Sequence, residues 1–290
     1  SCAVADVLGH GAVSGGGCSF TLQSSPLLLV ARQTRDSWRI TEKQHSYSLR
    51  NEQSAMPFEL SSLSGLNAAF DFRGPLSGTV NDQAAAKTLS VNGTITKTTG
   101  LIGSGSRHAA NADYYSTTDA DLIGNTPGAF TRVFTFYIHS DYTAVTTRAL
   151  NFYQSPDNND RLQLLHNNAV FSSSPYLLLA ANGTTKNTLI SDSVLNQWLM
   201  LFVWSDGSVS TQFEVRSFSD FTQLAVNSLA VVQSSQSEML YCRAVTAADC
   251  TFDNLLVFDR VLSDTEKESL WQEWRDQHNF LRGYRARIAK

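Results

Sequence analysis

Phe252-Asp-Asn-Leu-Leu-Val-Phe-Asp-Arg-Val-Leu-Ser-Asp-Thr-Glu266, running on to Leu270 and Trp271, decides the reading of this chain. Leu255, Val257 and the flanking Phe258 and Val261 supply the aliphatic, β-branched and aromatic side chains of a strand. Ser263-Asp-Thr-Glu266 then has capping-box spacing: the serine hydroxyl takes one free amide of the first helical turn, and the glutamate reaches back to the serine amide. Beyond the cap, Leu270, Trp271, Trp274, His278 and Leu281 recur at helical spacing and predict a helix from Ser263 to about Arg282. The tail from Arg282 to Lys290 carries four basic residues and no acid, as a solvated, frayed end would.

Upstream, short strands alternate with turn signals. Ala129–Ile138, Arg148–Tyr153, Arg161–Leu165, Tyr176–Ala181, Phe213–Phe218 and Leu224–Val226 are the clearest strands. Pro156-Asp157-Asn158, Asn182-Gly183 and Asp206-Gly207 are the turns between them. Residues 1–57 form a separate extension. It opens on the glycine-rich Gly9–Gly17, then shows short strands at Ser19–Gln23, Leu27–Ala31, Trp38–Thr41 and Ser46–Leu49. It is expected to act as an anchoring arm or to pack on the main domain.

Five segments in order resemble the laminin-G-like, concanavalin A-like jelly rolls. Ser61–Phe72 resembles an opening strand that ends in aspartate. Val80-Asn-Asp82 with Leu89–Ile95 sits where the family has D-S-S-G-N-G-N-x-G-T, and Leu101–Gly105 with Ala112–Thr117 is similar to the hairpin that follows. Asn196–Gly207 takes the place of the tryptophan-centred strand, and Phe252–Glu266 that of the closing strand and helix. The chain departs from the pattern at Leu199, where the family has histidine, and at Thr251, where it has glycine. The resemblance covers about residues 58–271 and implies an all-β, two-sheet antiparallel jelly-roll sandwich. Residues 272–290 then continue the C-terminal helix into the basic tail.

Composition narrows the function. The 290 residues are 42% apolar but only 17% charged, so Ser, Thr and Asn cover the polar faces; the net charge of −4 gives no expectation of nucleic-acid binding. Pro26–Ala31 is far too short for a membrane span. Ser1–Phe20 holds no basic segment followed by a long apolar one, so no secretory signal is expected there. Asn92-Gly-Thr94 and Asn182-Gly-Thr184 match the glycosylation pattern and equally the Asn-Gly turns of hairpins. Cys2, Cys18, Cys242 and Cys250 allow three pairings; Cys242 and Cys250 are close enough to staple a loop, or remain free thiols.

Catalytic motifs are missing. Retaining glycoside hydrolysis on this fold needs carboxylates about 5 Å apart, as E-x-D-x-E supplies on one strand face, and no such triplet occurs. Tyr137-Ile-His139 resembles the Q-I-H element of alginate lyases with Tyr137 in place of glutamine; a turn at the strand end accounts for His139. No G-x-S-x-G, P-loop or H-E-x-x-H stands in the chain. The resemblance implies loop-bound calcium, for which Asp113, Asp119 and Asp121 are the leading ligands, with Asp157–Asp160 second. Sugar stacking would fall to Tyr114, Tyr115, Tyr142 and Tyr153 near the strand ends.

The expectation is a non-enzymatic adhesion or decoration protein on a phage or virus particle. Residues 1–57 would contact other virion subunits, the jelly roll would meet cell-surface glycans, and the protein would be homo-oligomeric. The alternatives are an extracellular or cell-surface bacterial carbohydrate-binding module, and a lyase or hydrolase with an unfamiliar site.

Overall fold

The computed structural model describes residues 20–24, 27–34, 37–42, 63–72, 78–81, 87–110, 112–124, 128–139, 147–167, 175–190, 194–246 and 249–288. The chain divides into two compact units, Ser1–Pro57 and Phe58–Lys290. In the first, β1 (Phe20–Ser24), β2 (Leu27–Thr34) and β3 (Ser37–Glu42) form a three-stranded antiparallel sheet. The strand expected at Ser46–Leu49 lies outside the described residues.

The second unit is the expected two-sheet antiparallel sandwich with a C-terminal helix. One sheet contains β4 (Leu66–Phe70), β7 (Thr96–Thr99), β8 (Ser104–His108), β10 (Phe130–Ile138), β15 (Trp198–Ser205), β16 (Thr211–Ser217), β17 (Gln223–Leu229) and β19 (Cys250–Phe258). Its order is β17-β16-β15-β10-β19-β8-β7, with β4 also paired to β19. The other contains β5 (Thr79–Asn81), β6 (Thr88–Asn92), β9 (Tyr114–Thr117), β11 (Thr147–Gln154), β12 (Arg161–Asn167), β13 (Tyr176–Ala181), β14 (Thr184–Leu189) and β18 (Met239–Thr246). Its order is β14-β13-β12-β11-β18-β9-β6-β5.

The two sheets meet over a core rich in aromatic rings. Phe134 and Phe136 from β10, Phe152 from β11 and Phe252 from β19 pack there at centroid distances of 4.7 to 6.4 Å. A second core lies on the outer face of the first sheet. There Val133, Met200, Phe202, Leu256 and Phe258 meet Leu270, Trp271 and Trp274 of the helix α2 (Asp264–Ile288). Strand β19 is therefore buried on both faces, which is why its sequence reads as a nearly continuous apolar run. The first sheet is covered by the helix and the second is left without such a cover among the described residues.

The predicted capping box forms. Ser263 Oγ accepts from the Glu266 amide at 3.3 Å, and Glu266 Oε2 accepts from the Ser263 amide at 2.8 Å. Arg260 grips the same carboxylate at 2.6 and 2.9 Å. The helix outruns its expected end near Arg282 and stays helical to Ile288, because Arg, Ala and Tyr sustain it and no proline intervenes. Asn182 and Gly183, at φ 44° and 76°, make the two-residue hairpin between β13 and β14, where both residues must be left-handed.

Candidate binding face

The outer face of the second sheet is built by alternation around the core, interrupted on β11 and β18. Leu89 of β6, Tyr115 of β9, Leu150 and Phe152 of β11, Leu162 and Leu164 of β12, and Ala244 of β18 point into the inter-sheet core. Their neighbours Ser90, Asn92, Tyr114, Ser116, Asn151, Arg161, Gln163 and Arg243 therefore point outward. Register lines several of these up: Asn92 opposite Tyr114, and Asn151 opposite both Arg243 and Gln163. The result is a polar row across four adjacent strands and onto β12.

A bulge adds one member to this row. Between Asn151 and Tyr153 the β11–β12 register shifts, so Phe152 and Tyr153 both turn into the core and Gln154 turns outward. Cys242, with φ 54°, does the same on β18: Tyr241 and Cys242 both face inward and Arg243 faces out. Asn151 Nδ2 donates to Gln154 Oε1 in a buried bond, Gln154 Nε2 donates to Asn158 Oδ1, and Arg243 Nη1 donates to Gln154 Oε1 at 3.3 Å, the latter two part-buried. The Arg243 guanidinium lies 5.8 Å from the Tyr114 ring centroid. Three polar atoms of the cluster, Asn151 Oδ1, Arg161 Nε and Arg243 Nε, are buried without a hydrogen-bond partner among the described residues. At one end of the same face lies an open groove of about 570 Å³, lined by Lys87, Ser90, Ser116, Thr118 and Asp119 among others.

The sequence-level site residues separate. Tyr114 is half-buried on this face, where its ring can meet a ligand. Tyr115 is fully buried, stacked on Phe72 at 4.7 Å, and Tyr153 is fully buried with Arg132 Cζ 4.7 Å from its ring centroid. Neither is a surface platform: two consecutive tyrosines on a strand cannot both face out, and the bulge takes Tyr153 inward. Tyr142 lies outside the described residues.

The acidic set divides. The buried Asp113 carboxylate accepts from the amides of Thr94, Ala109 and Ala110 at 2.8, 3.3 and 2.9 Å. Asp119 caps the short helix α1 (Ala120–Ile123), accepting from the Asp121 amide, and Lys87 bridges Asp119 and Asp121. Asp160 is fully buried and ties loops together by accepting from the Asn182 amide at 2.8 Å and Gln236 Nε2 at 2.9 Å. Among the described residues no three His, Cys, Asp or Glu side chains gather as metal ligands.

Of the two readings left open for Cys242 and Cys250, the thiol one holds: both are buried and form no disulfide. They sit in different sheets, on β18 and β19, and both enter the inter-sheet core. Burial, then the neighbouring Cys250, pushes the Cys242 thiol well above its usual range. His139 follows the end of β10, with Nε2 2.9 Å from Thr251 Oγ1 and 4.0 Å from Asp249, whose carboxylate is gripped by Arg107. That is a strand-end contact. The one member of the polar face foreseen for sugar was Tyr114; Asn151, Gln154 and Arg243 were missed, because bulges and the pairing of strands far apart in sequence bring them to one side.

No protein-family model matches this chain, and no curated protein matches its sequence. Solved structures do match in fold. The botulinum neurotoxin serotype D binding domain is 10% identical with a TM-score of 0.52, over 72% of this chain and 51% of that one. The binding domain of Paraclostridial Mosquitocidal Protein 1 is 12% identical with a TM-score of 0.53, over 71% and 52%. The botulinum neurotoxin type G receptor binding domain is 11% identical with a TM-score of 0.51, over 72% and 51%. The chain thus spans about half the length of these structures, and what it shares with them is a two-sheet antiparallel β-sandwich.

Proposed function

We propose that the sandwich is a non-catalytic glycan-binding module of the laminin-G-like, concanavalin A-like jelly-roll type, and that the outer face of its second sheet is the binding surface. The observation that carries this reading is the polar row in which half-buried Asn92, Tyr114 and Arg243 adjoin buried Asn151 and Gln154, beside the hydroxyl-lined groove. Sugars are held by aromatic faces and by side-chain amides and guanidinium groups that match hydroxyls. Here one ring, three amides and an arginine stand together, with Asn151 Oδ1, Arg243 Nε and the adjacent Arg161 Nε buried without a partner among the described residues. The test is a glycan array with the whole chain, in calcium and in EDTA. Binding to a defined glycan that Tyr114→Ala weakens by about tenfold supports the reading; absence of binding to every glycan overturns it. Loss of binding in EDTA alone would bring calcium into the site.

The setting we propose is the surface of a virion, with residues 1–57 as the arm toward other subunits. Mass spectrometry of purified particles from the source checks this: stoichiometric copies support it, and absence removes it. A second reading has a specific observation in its favour. The similar solved structures are binding domains of bacterial toxins, which supports a secreted bacterial binding module. Recovery of the native protein from culture medium or cell envelope would select that reading.

A further inference from the structure

The chain is acidic overall, yet two arginines on the candidate face stand without acidic partners. Arg107, Arg216 and Arg260 each pair with a carboxylate, at Asp249, Glu214 and Glu266. Arg161 and Arg243 form no such pair among the described residues. They flank Gln154 from opposite sides: Arg243 Nη1 donates to its Oε1 at 3.3 Å, and Arg161 is its register partner on β12. Arg161 spends Nη1 on the Asn158 carbonyl at 2.6 Å. In both side chains the Nε edge of the guanidinium has no acceptor. Burial also weakens the hold of Arg161 on its proton, with no counter-charge to offset it.

Between them lies Asn151, 2% exposed, with its Nδ2 used on Gln154 and its Oδ1 without a donor. The missing complement has two parts. Guanidinium edges call for an anion with paired oxygens, which they meet in fork geometry. The amide oxygen calls for a neighbouring hydroxyl. A neutral sugar would supply hydroxyls but leave two half-buried charges uncompensated, a costly arrangement.

We infer that this face takes a carboxylated sugar residue, its carboxylate received by Arg243 and Arg161 and an adjacent hydroxyl donating to Asn151 Oδ1. This rests on the glycan-binding reading above and specifies its ligand class.

The experiment uses the whole chain on an array of uronate-bearing and sialylated oligosaccharides, each beside its carboxyl-reduced form, with sulfated oligosaccharides as a further arm. The expected result is binding to a carboxylated member at least about tenfold tighter than to its reduced partner, weakening as salt rises. Arg243→Gln and Arg161→Gln each remove about that tenfold preference, Arg243→Lys restores only part of it, and Arg282→Gln on the exposed helix changes nothing. Thermal unfolding of each variant checks folding; should Arg243→Gln not fold, Arg161→Gln carries the test. Equal affinity for acid and reduced forms, unmoved by Arg161→Gln, overturns the inference while glycan binding stands. Selection of sulfated over carboxylated members overturns it as well. Binding to no sugar at all overturns both readings together.

Discussion

His108 is buried between the rings of Tyr115 and Phe252, at centroid distances of 5.2 and 5.3 Å, with Ser106 Oγ 3.1 Å from its Nε2. Burial lowers its pKa from 6.5 to about 4, against a smaller opposing pull from the Asp113 carbonyl. The unfolded chain therefore takes up a proton between pH 6.5 and 4 that the folded chain refuses. Stability is full above that window and falls as pH drops through it, by up to about 3 kcal/mol. Urea unfolding of His108→Phe at pH 7 and pH 4.5 should show a smaller acid loss than the parent; an equal loss would assign the effect to other groups. At this scale the sequence was half legible. Tyr114-Tyr115 announced one aromatic for each side of a strand, but which side is the core depends on where β9 lies between β6 and β18.

The helix α2 shows how far local chemistry specifies an element. The Ser263–Glu266 cap was readable because all its partners lie within four residues. Its carboxylate is held at a pKa of about 2, first by Arg260 and then by the Ser263 amide. The stabilisation is thus present above about pH 4.5 and is lost as pH falls toward 2. Because the pair is partly exposed, Glu266→Gln should cost only about 0.5–1 kcal/mol at pH 7 and nothing at pH 2, measured by chemical unfolding. The helix is fastened by Trp274, fully buried against the first sheet, and by the Trp271 indole donating to the Phe218 carbonyl at 2.7 Å. Trp274→Ala should cost about 3–5 kcal/mol and lower the melting temperature, with the far-ultraviolet strand signal retained in what still folds. A loss under 1 kcal/mol would mean that the helix is not a structural part of the sandwich. The position of that docking was legible from Leu270, Trp271 and Trp274 on one helical stripe; the sheet surface receiving them was not.

Across the whole molecule, both described cores draw only on residues of Phe58–Lys290. A chain of residues 58–290 should therefore fold on its own and unfold cooperatively, with a melting temperature close to that of the whole chain. A broad or absent transition in calorimetry would show that residues 1–57 complete the fold. The sequence by itself determined the strand-rich class, the Asn-Gly and Asp-Gly turns, the capped terminal helix and the lack of an E-x-D-x-E triplet on any one strand. Each of these is set by side-chain period, backbone allowance or contacts a few residues apart, and so survives in one dimension. Only the tertiary structure decided which tyrosine faces out, that Cys242 and Cys250 enter one core from different sheets, and that Asn151, Gln154, Arg161 and Arg243 share a surface. Those outcomes depend on bulges at Phe152 and Cys242 and on pairing between strands far apart in sequence. A one-residue slip in register reverses every side chain beyond it, and no local propensity fixes where such a slip falls.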